Sequence, residues 1–231
     1  KLLNPEYIPF MNLTMIVEGG KERILSLRSI VEQRCPSLLL AVNFIKKKKE
    51  KKGGISGPMT IEYKDGTLMN LFILTQIMEW CYTGTLDFKS LSICDVMVIM
   101  KAAKALDIPH LEFICDQYIH SELTVDSSFI IIKQAKLLEM NNIKDMAYHF
   151  AFDKWSQFAA HKGGMDIIGI EIFQELTIAM NQRQDGNPVN VKKLAHVKDS
   201  LVEDFKVIYN ESRFSDAEMV VDDKRYNFHK A

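Results

Sequence analysis

The sequence predicts an α+β protein in which a short mixed sheet with a helical cluster is followed by an all-α helical bundle. Three observations predict it. Residues 12–64 carry hairpin, helix-pair and strand signals in turn, and residues 67–120 carry three capped helical patterns. Beyond residue 121 the pattern is helical alone, until a hairpin signal returns at 215–231.

Residues 12–27 read as a β-hairpin: Leu13, Met15 and Val17 alternate with Thr14, Ile16 and Glu18, and Gly19-Gly20 supplies the positive backbone angles of a tight turn. Two short helices follow at 27–34 and 36–44, with Pro36 at a permitted first-turn position. Residues 43–58, rich in lysine and glycine, break the pattern. A short strand spans 59–64, and Asp65-Gly66 marks the turn after it. Thr67 can cap a helix over 68–82, in which Leu71, Leu74, Ile77, Met78 and Cys81 keep helical spacing. Ser92 caps a helix over 93–106, and Pro109 opens one over 110–120.

The switch to helices alone marks a domain boundary near residues 121–125. Asp126 caps a helix over 127–138 that carries Phe129, Ile132, Ala135 and Leu138 on one face; helices over 142–152, 154–158 and 169–181 follow. Residues 189–209 read as one more helix behind Pro188. Its stripe of Val191, Leu194, Leu201, Phe205 and Ile208 is broken only by Lys198, and suits a packed amphipathic helix better than a coiled coil. The chain then repeats its opening. Asp216, Met219, Val220 and Val221 correspond to Asn12, Met15, Ile16 and Val17, and His229-Lys230 to Leu27-Arg28, the first hairpin being two residues longer. A lone hairpin is marginal in water, so 215–231 is expected to continue into further chain, pack on the first domain, or exchange with another copy.

The run Ile77-Met78-Glu79-Trp80-Cys81-Tyr82-Thr83-Gly84-Thr85-Leu86, preceded by hairpin, helix pair and strand and followed by two short helices, resembles the BTB (POZ) domain. The helices after it, with Ala135 and Leu138, then Ile143, Met146 and Phe150, then Trp155 and Phe158, resemble a truncated BACK domain. The resemblance gives a BTB domain over 11–121, a BACK-like domain over 122–187, a linking helix over 188–211 and the start of a second BTB domain over 212–231. BTB features cover about half of the chain and BACK features about a third more.

The resemblance implies a protein–protein interaction module with no chemistry of its own. It implies cullin-3 as a partner, self-association through BTB surfaces within or between chains, and a protein substrate held by an upstream propeller-type domain, a Ras-family GTPase being one candidate. The family's cullin contacts fall on the loop after the helix pair, on the Tyr of Tyr-Thr-Gly and on the first BACK helices. Those positions are Phe44, Ile45, Tyr82 and Phe129 here, although capping or packing also accounts for Tyr82 and core packing for Phe129. The apolar–x–Glu plug of many cullin-3-binding members has no clear match between Phe44 and Gly57, which favours a scaffold without cullin; the BACK-like helices favour the adaptor. The family's dimer-facing pocket maps to Asn12 and Leu27 in the first copy and to Asp216 and His229 in the second. The second pair fits the family pattern better.

Composition agrees with such a module. With 47% hydrophobic residues in 231, the chain can fill a core, and a formal net charge of −1 argues against a phosphate-neutralising surface. Lys46-Lys47-Lys48-Lys49-Glu50-Lys51-Lys52 lacks interleaved aromatics and precedes Gly53-Gly54, so it reads as a solvated loop ahead of a nucleic-acid patch. Cys35, Cys81, Cys94 and Cys115 are widely spaced within apolar patterns, as small buried hydrophobes in a reducing compartment are. Neither cysteines nor histidines show metal-ligand spacing, and no cofactor is expected. Glu79 with Asp87, and Asp95 with His110, are the nearest approach to an acid–base pair, and neither has motif spacing. No apolar run is long enough to span a bilayer. The first residues show no signal peptide, but Lys1 is not Met, so the true start is missing and targeting is not judged from it. The expected location is cytoplasmic, with endomembranes as an addition, ahead of the nucleus.

Overall fold

A computed structural model describes residues 13–17, 22–40, 59–62, 70–184, 194–210, 217–221 and 224–228. In chain order these form β1 (Leu13–Val17), β2 (Glu22–Ser26), α1 (Arg28–Arg34), α2 (Pro36–Leu40), β3 (Met59–Glu62), α3 (Leu71–Thr83) and a 3-10 turn at Phe88–Ser90. Then come α4 (Ile93–Ala105), α5 (Pro109–Ser121), α6 (Val125–Leu137), α7 (Asn141–Asp153), α8 (Trp155–Ala159), α9 (Gly164–Ile168) and α10 (Ile170–Gln184). α11 (Leu201–Asn210), β4 (Ala217–Val221) and β5 (Lys224–Phe228) complete the series. The architecture is α+β and mostly helical. The described residues fall into two compact units, one within 1–86, 102–108 and 198–231, the other within 87–101 and 109–197.

In the first unit β1 is the central strand of a mixed sheet ordered β2-β1-β3. It pairs antiparallel with β2, from Leu13 opposite Ser26 to Val17 opposite Glu22, and parallel with β3, Leu13 opposite Met59. Leu13 and Met15 are fully buried while Thr14 and Ile16 are half-buried, the period-2 pattern of a strand with one face on a core. A parallel pair needs a crossover, and β2, α1 and α2 all lie between β1 and β3 in the chain. α1 packs on α2, α3 and α11. The core of the unit includes Ile30, Val31, Leu38, Ile73, Leu74, Ile77, Met78 and Cys81.

In this unit two expected helix starts are displaced. α3 begins at Leu71, because the Asn70 side chain accepts the Ile73 N–H at 2.9 Å and so ends the search for a cap; Thr67 and Leu68 lie outside the described residues. The linking helix begins at Leu201 rather than 189. Residues 194–200 are not helical, and the change falls beside the Lys198 break in the apolar stripe. There the Asp199 carboxylate accepts the Leu201 N–H at 3.2 Å, where a continuing helix would have supplied a carbonyl, and the Ser200 hydroxyl donates to the Asp204 carboxylate at 2.6 Å. Residues 41–44, 63–64 and 188–193 of the expected elements lie outside the described residues.

β4 and β5 pair antiparallel from Ala217 opposite Phe228 to Val221 opposite Lys224, five pairs as in the first hairpin. Four residues separate β1 from β2 and two separate β4 from β5, the length difference that the alignment of the two sequences requires.

In the second unit α6 packs on α7 and α9, and α9 on α10. Ser92 and Asp95 cap α4 reciprocally: the Asp95 N–H donates to the Ser92 hydroxyl and the Ser92 N–H to the Asp95 carboxylate. For α6 the cap is Thr124 rather than Asp126. The Ser127 N–H donates to Thr124 Oγ1 at 3.2 Å and the Thr124 N–H to Ser127 Oγ at 2.8 Å, which leaves Asp126 in the first turn with its carboxylate 2.8 Å from His161 Nε2. The five-residue α9 falls between the expected helices over 154–158 and 169–181. Its first residue, Gly164, lies against the Phe129 ring, which stacks on Phe158 with centroids 4.1 Å apart; a Cβ on Gly164 would stand 2.4 Å from ring carbons.

Gly164→Ala is expected to lower the urea midpoint by the equivalent of roughly 1–3 kcal/mol, the cost of overpacking. If the ring is the cause, Phe129→Leu should partly relieve it. The double variant is then less destabilised than the two single variants together, a coupling that equilibrium unfolding of all four proteins measures.

Candidate interaction surface

The N-cap of α1 is Leu27, whose side chain cannot accept a hydrogen bond, so its first turn must find partners elsewhere. Tyr82 supplies one. Its hydroxyl accepts the Leu27 N–H at 2.9 Å and lies 3.1 Å from the hydroxyl of fully buried Ser26. Burial pushes the Tyr82 phenol above its ordinary range, the Leu27 N–H and Ser26 hydroxyl working against that, so it stays neutral. The end of the hairpin is thereby tied to the helix that closes at Gly84.

At the other end of α1 the side chain of Arg34 is 1% exposed. Its Nη1 donates to Asp199 Oδ1 at 2.9 Å and to Asp204 Oδ2 at 3.0 Å, and its guanidinium carbon stands 4.2 Å from the centroid of the Trp80 ring. Arg34 Nε and Nη2 have no hydrogen-bond partner among the described residues. The Gln33 amide donates to the other oxygen of Asp204 at 3.2 Å. Burial acts to raise the Asp204 carboxyl, but the hydrogen bonds from Ser200, Arg34 and Gln33 outweigh it and hold the group below the usual aspartate range. Gly84 makes the arrangement possible twice over. It terminates α3 with φ +73° while its N–H bonds the Trp80 carbonyl at 2.8 Å, and a Cβ there would stand 2.3 Å from Asp199 Oδ2.

Of the residues singled out from the sequence, Leu27 and Tyr82 are brought together as described. Phe129 is 1% exposed in the second unit, stacked on Phe158. Phe44, Ile45, Asn12, Asp216 and His229, and the lysine run 46–52, lie outside the described residues. Arg34, Asp199 and Asp204 were missed. The one signal that could have found them is the break in the linking stripe at Lys198, beside Asp199-Ser200.

Burial pushes the Cys35 thiol up to about 12, against a weaker pull from the Leu38 backbone, and raises those of Cys81, Cys94 and Cys115 as well. Asp95 is engaged in the α4 cap. Among the described residues no three His, Cys, Asp or Glu side chains gather as a metal-binding set, and no helix is long and apolar enough to cross a membrane. Apolar side chains stand exposed on α6 (Leu137), α10 (Ile170, Ile178) and α11 (Val202). No family model matches the chain, and no curated protein matches it.

The Arg34 cluster sets the order of three variants. Asp204→Asn leaves a buried guanidinium short of charge and is expected to cost more than the ~1 kcal/mol of an exposed pair, toward the ~3–5 kcal/mol of a buried one. Arg34→Met/Asp199→Asn/Asp204→Asn, which removes charge on both sides, should be less destabilised than Asp204→Asn alone in urea unfolding. The pH dependence follows from the lowered Asp204 carboxyl. Its contribution is complete above the unfolded aspartate value of about 3.9 and is lost as pH falls through the lower folded value, so Asp204→Asn flattens the acid limb of the stability–pH curve.

Proposed function

We propose that the chain is a non-catalytic interaction module: a BTB domain, BACK-like helices, a linking helix and the start of a second BTB domain. The observation that carries this reading is the tie between the hairpin end and the helix closing at Gly84, made by Tyr82 inside a unit with a mixed β2-β1-β3 sheet. A second hairpin with the same five-pair ladder supports the tandem arrangement. The order resembles that of the leucine-zipper-like transcriptional regulator, a Kelch–BTB–BACK–BTB–BACK receptor of cullin-3 ubiquitin ligases. On this reading the chain pairs with a second BTB surface by burying an apolar helix face and holds the cullin-3 N-terminal helices on an adjoining face. A protein substrate, a Ras-family GTPase being the candidate, is held upstream. The work done is to raise effective concentration rather than to break bonds. The setting is cytoplasmic, with endomembranes as an addition.

A scaffold that assembles without cullin is the second reading, favoured by the missing apolar–x–Glu between Phe44 and Gly57. Titration of the chain with the cullin-3 N-terminal domain by calorimetry separates the two. The adaptor predicts saturable binding with negative ΔCp from apolar burial, at a Kd below about ten micromolar. Silence at tens of micromolar, with the chain folded by circular dichroism, leaves the scaffold alone.

A further inference from the structure

Within the first unit, the surface formed by the end of α1, Trp80 and the Gly84 turn is shaped for one kind of occupant. It offers the Arg34 guanidinium, the aromatic face of Trp80 behind it, and at Gly84 a backbone with no Cβ. What fills it comes from far along the chain. Asp199 and Asp204 approach the same guanidinium nitrogen, Leu201 lies against Gly84, and Ile208, two turns on, is buried. The occupant is thus the start of a helix with a carboxylate before its first turn, a second carboxylate five residues on, and apolar groups at the contact. Its outer face, by contrast, leaves Val202 61% exposed, so the fit is one-sided.

The geometry points to a docking site for an acidic amphipathic helix on the Arg34–Trp80–Gly84 face, occupied in cis by residues 199–208 of the same chain. The binding energy is electrostatic and positional: with the helix docked the guanidinium is nearly sealed from water, so any occupant that covers it in the same way must bring carboxylates to Nη1. Helices lacking them are rejected by the unpaired charge they would leave behind. A tethered occupant competes at an effective concentration of about millimolar, so a free helix of the same pattern enters only when the resident one is weakened or outcompeted. This inference stands on the first unit alone and does not rest on the cullin reading.

The test uses the whole chain and a fluorescein-labelled synthetic peptide of residues 198–210, followed by anisotropy. Against Asp199→Asn/Asp204→Asn, in which the resident helix has lost its anchors, the peptide should bind at least about tenfold tighter than against the unmodified chain. Adding Arg34→Met to that variant should abolish binding, as should replacing both aspartates of the peptide by asparagine. Equal binding to the opened and unmodified chains, equal binding of the asparagine peptide, or no binding to a folded opened chain overturns the proposal. Should the opened variant fail to fold, hydrogen exchange on the unmodified chain decides. Saturating peptide should accelerate exchange of the α11 amides while α1 stays protected, and unchanged α11 exchange overturns it.

Discussion

A guanidinium removed from water costs several kcal/mol unless its charge is met, and in this protein the meeting groups are far away in sequence. The charge of Arg34 is met by carboxylates 165 and 170 residues further on, both at Nη1, and by the face of Trp80. No segment of the first 86 residues can supply those carboxylates among the described contacts, so the first unit is closed only when the segment after residue 198 arrives. The constraint propagates outward. Gly84 must lack a side chain so that Asp199 can approach, Ser200 must orient Asp204, and α11 must begin where it does rather than twelve residues earlier. Three stretches that share no sequence motif are in this way conditions on one another.

Local chemistry was legible in the sequence, and partnership across distance was not. Ser92 declared the start of α4, because a hydroxyl before an apolar period has one obvious use. At α6 two cap-formers stood two residues apart. Thr124 prevails over Asp126 because Ser127, three residues on, can return the hydrogen bond, and a capping box satisfies two backbone donors where a lone aspartate satisfies one. The apolar stripe before α11 misled for the opposite reason: periodicity reports a face, and it carries no record of the Asp199–Ser200 cap that interrupts it. The strand at Met59 was readable as a strand, but alternation fixes neither partner nor direction, and its parallel pairing with β1 emerges only in three dimensions. Trp80 and Ile73 join the buried face of α3 beside the expected stripe, Trp80 against the Arg34 guanidinium, so the helix buries a wider arc than a single period displays.

The candidate site shows the same division. Tyr82 could be assigned from sequence either to a partner or to the fold, and its hydroxyl is committed to the Leu27 N–H and Ser26. Phe129 fills the aromatic stack with Phe158, where Gly164 gives it room. Arg34 left no trace that a reading of its neighbours could follow: an arginine in the last turn of a helix is ordinarily a favourable, exposed charge near the C-terminus, and nothing adjacent says that this one is sealed. A buried ion pair of long sequence separation is the feature least accessible to pattern reasoning. It is also the feature on which this unit turns.

The anchoring of α11 has a consequence for the second hairpin. A two-stranded ribbon has too little apolar area to be stable alone, and its chance of finding a partner depends on how far it can stray. Untethered, it would trail from the chain behind the whole stretch that follows α10. With Asp199 and Asp204 fixed to Arg34, α11 is held on α1, and β4 begins seven residue steps beyond the last residue of that helix. Fully extended, those steps reach at most about 25 Å. The search is confined to a small volume around the first unit, which raises the local concentration of hairpin against any edge or groove there. The ion pair that completes the first unit therefore also sets where the repeated element can act, and an occupant that displaced α11 from Arg34 would release both at once.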